Sequence, residues 1–167
     1  MTIEITDTNF VEKKLSDYGD VYNFGLVDDE ICGRRAGEFF NSKNVDIIFM
    51  YSATYCTSSC ILPIHQICNA PLVILNLQPT AQMNYLNTST GQWLAHCGAC
   101  PVPEFANALE RAGIKCRIIN GLLGQSKTPE GSETDEDTQN RSEAVNAWKE
   151  VHEWCLAANV KNMFKKA

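Results

Sequence analysis

The sequence lacks any apolar run long enough to cross a bilayer, and its first twenty residues are polar, without the layout of a signal peptide. Both absences point to a soluble, cytoplasmic protein with no membrane partner. Basic charge is also scarce. Lys and Arg number 14 against 20 Asp and Glu, for a net charge of −6. Five of the acids, Glu130, Glu133, Asp135, Glu136 and Asp137, sit in one short segment, and without them the balance moves from −6 to −1. A nearly neutral body has no basic field for a phosphate backbone, which argues against nucleic-acid binding. No glycine-rich loop follows a predicted strand, which counts against a dinucleotide site. No Gly-x-Ser-x-Gly elbow is present, so a serine hydrolase of that type is excluded. Glu104 and Glu110 share a predicted helix, but six residues apart they lie on different faces, and no carboxylate pair with a histidine offers itself. A complete catalytic set is missing, and so is any internal repeat.

What the sequence does hold is the pattern of one α/β domain. Its 167 residues suffice for a single core. Helix is predicted over about 9–18 and a short strand over Asp20-Val-Tyr-Asn-Phe24. Asp28 and Asp29 are suited to cap a helix through Asn41, with Ile31, Ala36, Phe39 and Phe40 on its apolar side. Val45 to Met50 reads as a buried central strand. Thr57, Ser58 and Ser59 can cap a helix that turns Ile61, Leu62, Ile64 and Ile67 inward, and Leu72-Val-Ile-Leu75 is the clearest buried strand. The stretch 76–100 reads as irregular. A helix over 101–112 with Gly113 behind it leads to a strand over 115–119. The segment 124–140 is polar, acidic and rich in Gly, Ser and Thr, which predicts a disordered insertion within the single domain spanning 1–167. A last helix over about 142–158 directs Val145, Trp148, Val151, Trp154 and Cys155 toward the body. Strand and helix alternating at these spacings predict a three-layer (α/β/α), Rossmann-like open parallel sheet.

Eight cysteines, at 32, 56, 60, 68, 97, 100, 116 and 155, are set mostly among apolar or helical residues, and are read as reduced thiols packed like small hydrophobes. Cys97-Gly-Ala-Cys100 precedes a helix, as a redox CxxC does, but follows an irregular stretch and not a first strand; structural thiols are the preferred reading. Zinc would need two further ligands at recognisable spacing. His65 lies inside an apolar helix and reads as a packed core residue; His152 reads as solvated.

Ligands of open parallel sheets bind beyond the carboxyl ends of the strands. Three loops there are rich in neutral polar groups: Tyr51 to Ser59 in hydroxyls, Asn76-Leu-Gln-Pro-Thr80 in amides, and Gly91 to Cys100 with an aromatic, His96 and two thiols. That chemistry suits a polyol better than a phosphate. Helix capping by Thr57 to Ser59, and satisfaction of loop backbone by Asn76 and Gln78, are the plainer alternatives.

The runs Leu75-Asn-Leu-Gln-Pro-Thr80, Thr90-Gly-Gln-Trp-Leu94 and Val102-Pro-Glu-Phe-Ala-Asn107, within a stretch from Phe24 to Leu123, resemble the N-terminal region of the L-arabinose isomerase-like proteins of the L-fucose and L-arabinose isomerase group. The resemblance implies aldose–ketose isomerisation with Mn²⁺, a pentose or deoxyhexose substrate, and a homo-oligomer with sites between subunits. The metal-binding glutamates and histidines of that group lie in later domains and match no position here. No catalytic residue, metal ligand or cofactor is therefore assigned to this chain. By the match, Asn76, Gln78 and Tyr55 are the substrate-side or interface candidates, with His96 and Glu104 behind them. The alternatives are a non-catalytic sugar-binding or regulatory module, and a thiol redox protein using Cys97 and Cys100.

Overall fold

The computed structural model describes residues 6–83, 85–86, 88–126 and 137–166. In chain order they form α1 (Thr6–Ser16), α2 (Glu30–Lys43), β1 (Ile48–Tyr51), α3 (Ser58–Ile67), β2 (Leu72–Gln78), α4 (Thr90–Ala95), a 3-10 turn at Cys97–Ala99, α5 (Val102–Arg111), β3 (Cys116–Leu122) and α6 (Ser142–Lys166). The three strands are parallel in the order β1-β2-β3, with Ile48 opposite Leu72 and Leu72 opposite Cys116. Helices cover both faces, giving the three-layer α/β/α arrangement predicted from the alternation of elements.

Side-chain alternation along the strands divides the core in two. Ile48, Leu72 and Ile74 point to one face, where Ile61 and Ile64 of α3 and Val102, Phe105 and Leu109 of α5 meet them. Val73, Leu75, Leu77 and Ile119 point to the other, against Val11 of α1 and Ala147, Trp148 and Val151 of α6. Leu72 to Leu75 are buried throughout because β2 is central and covered on both sides. Both crossovers, β1 to β2 through α3 and β2 to β3 through α5, pack on the same face.

Four local expectations are corrected. Asp20 to Phe24 is not a strand. Asn23 accepts the Gly25 N–H at 2.8 Å through its side chain, and Gly25 takes φ = 96°, so the chain turns there. Asn23 also donates to Glu12 at 2.6 Å, and Phe24 packs on Phe39 and Phe40 of α2. Ile31 is 72% exposed. The buried face of α2 is Gly33, Ala36 and Gly37, because α2 rides directly on α3: a Cβ at Gly33 would overlap the Cys60 carbonyl, and one at Gly37 would lie 2.9 Å from the Ile64 oxygen. Val145 is likewise exposed, one residue off the stripe of Ala144, Ala147, Trp148 and Val151 that meets the sheet. Finally, 76–100 is more regular than predicted. β2 continues to Gln78 because Leu77 extends the buried alternation of Val73 and Leu75, and because Asn76, Leu77 and Gln78 pair with Asn120, Gly121 and Leu122.

The core of the acidic segment, 127–136, lies outside the described residues. Its base is built: Thr138 is fully buried, and its N–H donates to the Gln125 carbonyl at 3.0 Å. Among the described residues no helix is long and apolar enough to cross a membrane.

Candidate functional site

The carboxyl ends of the three strands converge on a neutral polar rim. At the end of β2, Leu75 and Leu77 turn to the α1/α6 face, so strand alternation sends Asn76 and Gln78 to the α3/α5 face, beyond the apolar layer of Leu72 and Ile74. β3 brings Asn120 to the same side at the same level, since Asn76 and Asn120 are register partners. The three amides are linked. Asn76 Nδ2 donates to Asn120 Oδ1 at 2.7 Å, and Gln78 Nε2 donates to Asn76 Oδ1 at 3.1 Å. Nothing in the sequence singles out Asn120; as half of an Asn-Gly pair it reads there as the end of a strand. Only the register, joining positions 44 apart in the chain, reveals it.

The end of β1 supplies the second wall. Ser52 is buried; its N–H donates to the Leu75 carbonyl at 3.1 Å, and its hydroxyl donates to the Gly98 carbonyl at 2.5 Å. Thr54 Oγ1 donates to the Leu94 carbonyl at 3.2 Å. These bonds draw the segment from α4 through the 3-10 turn over the loop that follows β1. Gly98 is required at this contact, because a Cβ there would overlap the Ser52 carbonyl. Tyr55 follows in the same loop and is half exposed, as are Trp93 and Leu94. His96 is half-buried at the start of the 3-10 turn, its N–H donating to the Trp93 carbonyl at 3.1 Å.

Glu104 has a structural task. Thr57 stands at the N-cap of α3, but its side chain makes no capping bond and instead meets Ser59 Oγ at 2.7 Å. The open Ser58 N–H is taken by Glu104 Oε1 of α5 at 2.7 Å, and that bond holds the Glu104 carboxyl below the usual carboxylate range. The cap predicted from Thr57 to Ser59 is therefore supplied by a neighbouring helix.

The thiols divide into two groups. Cys97 is buried and Cys100 exposed, with their sulfurs 2.7 Å apart. The Cys100 thiol, together with burial, pushes Cys97 up to about 11. Burial, with Cys60 and Glu104 nearby, likewise raises Cys56 to about 11, while Cys60 turns its thiol to the Asp28 carbonyl at 3.4 Å. His65, on α3, is enclosed with neither ring nitrogen hydrogen-bonded, and burial lowers its pKa to about 4. His152 is exposed but not merely solvated: it stacks on Tyr18, with ring centroids 4.7 Å apart.

Two open clefts lie elsewhere. One of about 550 Å³ is lined by Arg117, Lys149, Glu150 and Trp154, and one of about 350 Å³ by Tyr18, Trp148 and His152. Neither includes a rim residue, and both are lined chiefly by residues of α6.

The Mn²⁺ implied by the resemblance would need several carboxylates or imidazoles at one centre. Among the described residues no three His, Cys, Asp or Glu side chains gather in that way, so these residues do not fit the metal. What the rim offers chemically is its row of neutral amides, the hydroxyls of Ser52 and Thr54 being spent on the Gly98 and Leu94 carbonyls. Compared with protein-family models and with curated proteins, the chain matches none.

Proposed function

We propose that this chain is the substrate-side α/β domain of an aldose–ketose isomerase of the L-arabinose/L-fucose type, binding a pentose or deoxyhexose at the amide rim in the cytoplasm. The observation that carries the reading is the linked set Asn120, Asn76 and Gln78 at the ends of adjoining parallel strands. Each amide uses part of its hydrogen-bonding capacity on its neighbour and keeps part for a ligand. Neighbouring sugar hydroxyls, each both donor and acceptor, match such a row, whereas a phosphate calls for cations or a helix N-terminus. In this reading the metal and the acid–base groups come from outside the chain, and exposed Tyr55, Trp93 and Leu94 meet an adjoining subunit of a homo-oligomer.

Calorimetric titration with L-arabinose and L-fucose tests the proposal. Millimolar binding is expected, weakened about three- to tenfold by Asn76→Ala, in line with the loss of one or two neutral hydrogen bonds. Far-UV circular dichroism of the variant should be unchanged. Absence of heat at tens of millimolar sugar, or equal binding by the variant, would overturn it.

A further inference from the structure

The Cys97-Gly-Ala-Cys100 turn is positioned by groups other than its thiols. Ser52 Oγ holds the Gly98 carbonyl, the Cys100 N–H donates to the Cys97 carbonyl at 3.1 Å, and Cys97 and Gly98 are buried against the strand ends. This backbone leaves one sulfur enclosed and the other at the surface, 2.7 Å apart, immediately before Pro101 and α5. An accessible thiol backed by a second thiol within bonding reach is the arrangement that thiol–disulfide exchange needs. Cys56 and Cys60 are also close in sequence, but Cys60 is buried and turned to the Asp28 carbonyl.

We propose that Cys97 and Cys100 form a thiol–disulfide exchange site for low-molecular-weight disulfides such as oxidised glutathione, with Cys100 as the entry thiol and Cys97 as the resolving thiol. The Cys100 thiolate attacks one sulfur of the incoming disulfide. Its S–S bond breaks, one thiolate leaves and takes up a proton, and a mixed disulfide remains on Cys100. The Cys97 thiolate then attacks the Cys100 sulfur and expels the second thiolate. The protein loses two protons and two electrons, and the small disulfide is reduced to two thiols. The product ties the turn that overlies Ser52 to the residue preceding Pro101 and α5. Cys97 is enclosed beside the Cys100 sulfur, so closure needs no second encounter and proceeds as Cys97 gives up its proton.

The exchange does not rest on the sugar reading, and either can fail alone. The full chain is incubated with oxidised glutathione, quenched in acid, alkylated, digested and mapped by mass spectrometry. Wild type should accumulate the Cys97–Cys100 disulfide and return to two thiols with dithiothreitol. Cys97→Ser should stop at glutathione on Cys100, and Cys100→Ser should react at Cys97 at least about tenfold more slowly. In wild type, which needs no variant to fold, closure should quicken at least about tenfold in all as pH rises from about 7 to 9. Glutathione persisting on wild-type Cys100, a bond mapping to Cys56–Cys60, or closure indifferent to pH would overturn the assignment.

Discussion

At the scale of single residues, His65 shows how a side chain can be placed by its bulk and penalised by its chemistry. The sequence reading of a packed histidine agrees with its burial on α3, and both ring nitrogens are dehydrated without a hydrogen-bond partner. Its folded pKa of about 4 lies below the ordinary 6.5. Between those values the unfolded chain binds a proton that the folded chain refuses. Stability is therefore full above about pH 6.5 and falls as pH drops toward 4, by about 3 kcal/mol from this group. Urea melts at about pH 7 and pH 4.5 should show the loss, and His65→Leu should remove most of it. Asn76 and Gln78 are legible as candidates because an amide pair directly follows an apolar strand at its carboxyl end. Asn120 is not, since nothing local distinguishes it. Glu104 is visible as a carboxylate, but its bond to Ser58 depends on how α5 sits beside α3, which no single-element pattern encodes.

At the scale of elements, hydrophobic periodicity locates the buried strands and most helices, and fails where backbone approach decides the face. In α2 the larger apolar residue Ile31 is outside, and Gly33, Ala36 and Gly37 are inside. A helix that must touch another backbone selects for absence of side chain, a signal that hydrophobicity does not carry. Gly33→Ala should therefore cost about 2 kcal/mol in chemical denaturation, the overlap with the Cys60 carbonyl outweighing the better helix propensity of alanine. Gly19→Ala, with open space around its Cβ and no left-handed backbone, is the control and should be close to neutral. The Asp20–Phe24 run fails differently. Its β-forming residues are real, but Asn23 and Gly25 impose a turn that propensity averages overlook.

At the scale of the whole molecule, the order of alternating elements is enough for the three-layer sheet, because each β-to-β crossover must cover one face. The rim is only partly legible, because it is assembled from three strand ends and a turn that meet through register and tertiary contact. In the proposed division of labour, the purified chain supplied with Mn²⁺ and L-arabinose or L-fucose should produce no ketose. Measurable conversion, followed by ketose formation, would show that this chain carries its own acid–base groups.

The amide row at the rim has a direction. Asn76 donates to Asn120, and Gln78 donates to Asn76, so the carbonyl oxygen of Gln78 is left at one end and the NH₂ of Asn120 at the other. A molecule lying along the row must give a hydrogen at the Gln78 end and accept one at the Asn120 end. Rotating the Asn76 amide by half a turn would break both links together, so the polarity is fixed collectively. A polyol satisfies both ends; its fully methylated ether, equal in shape along the carbon chain, can satisfy only one.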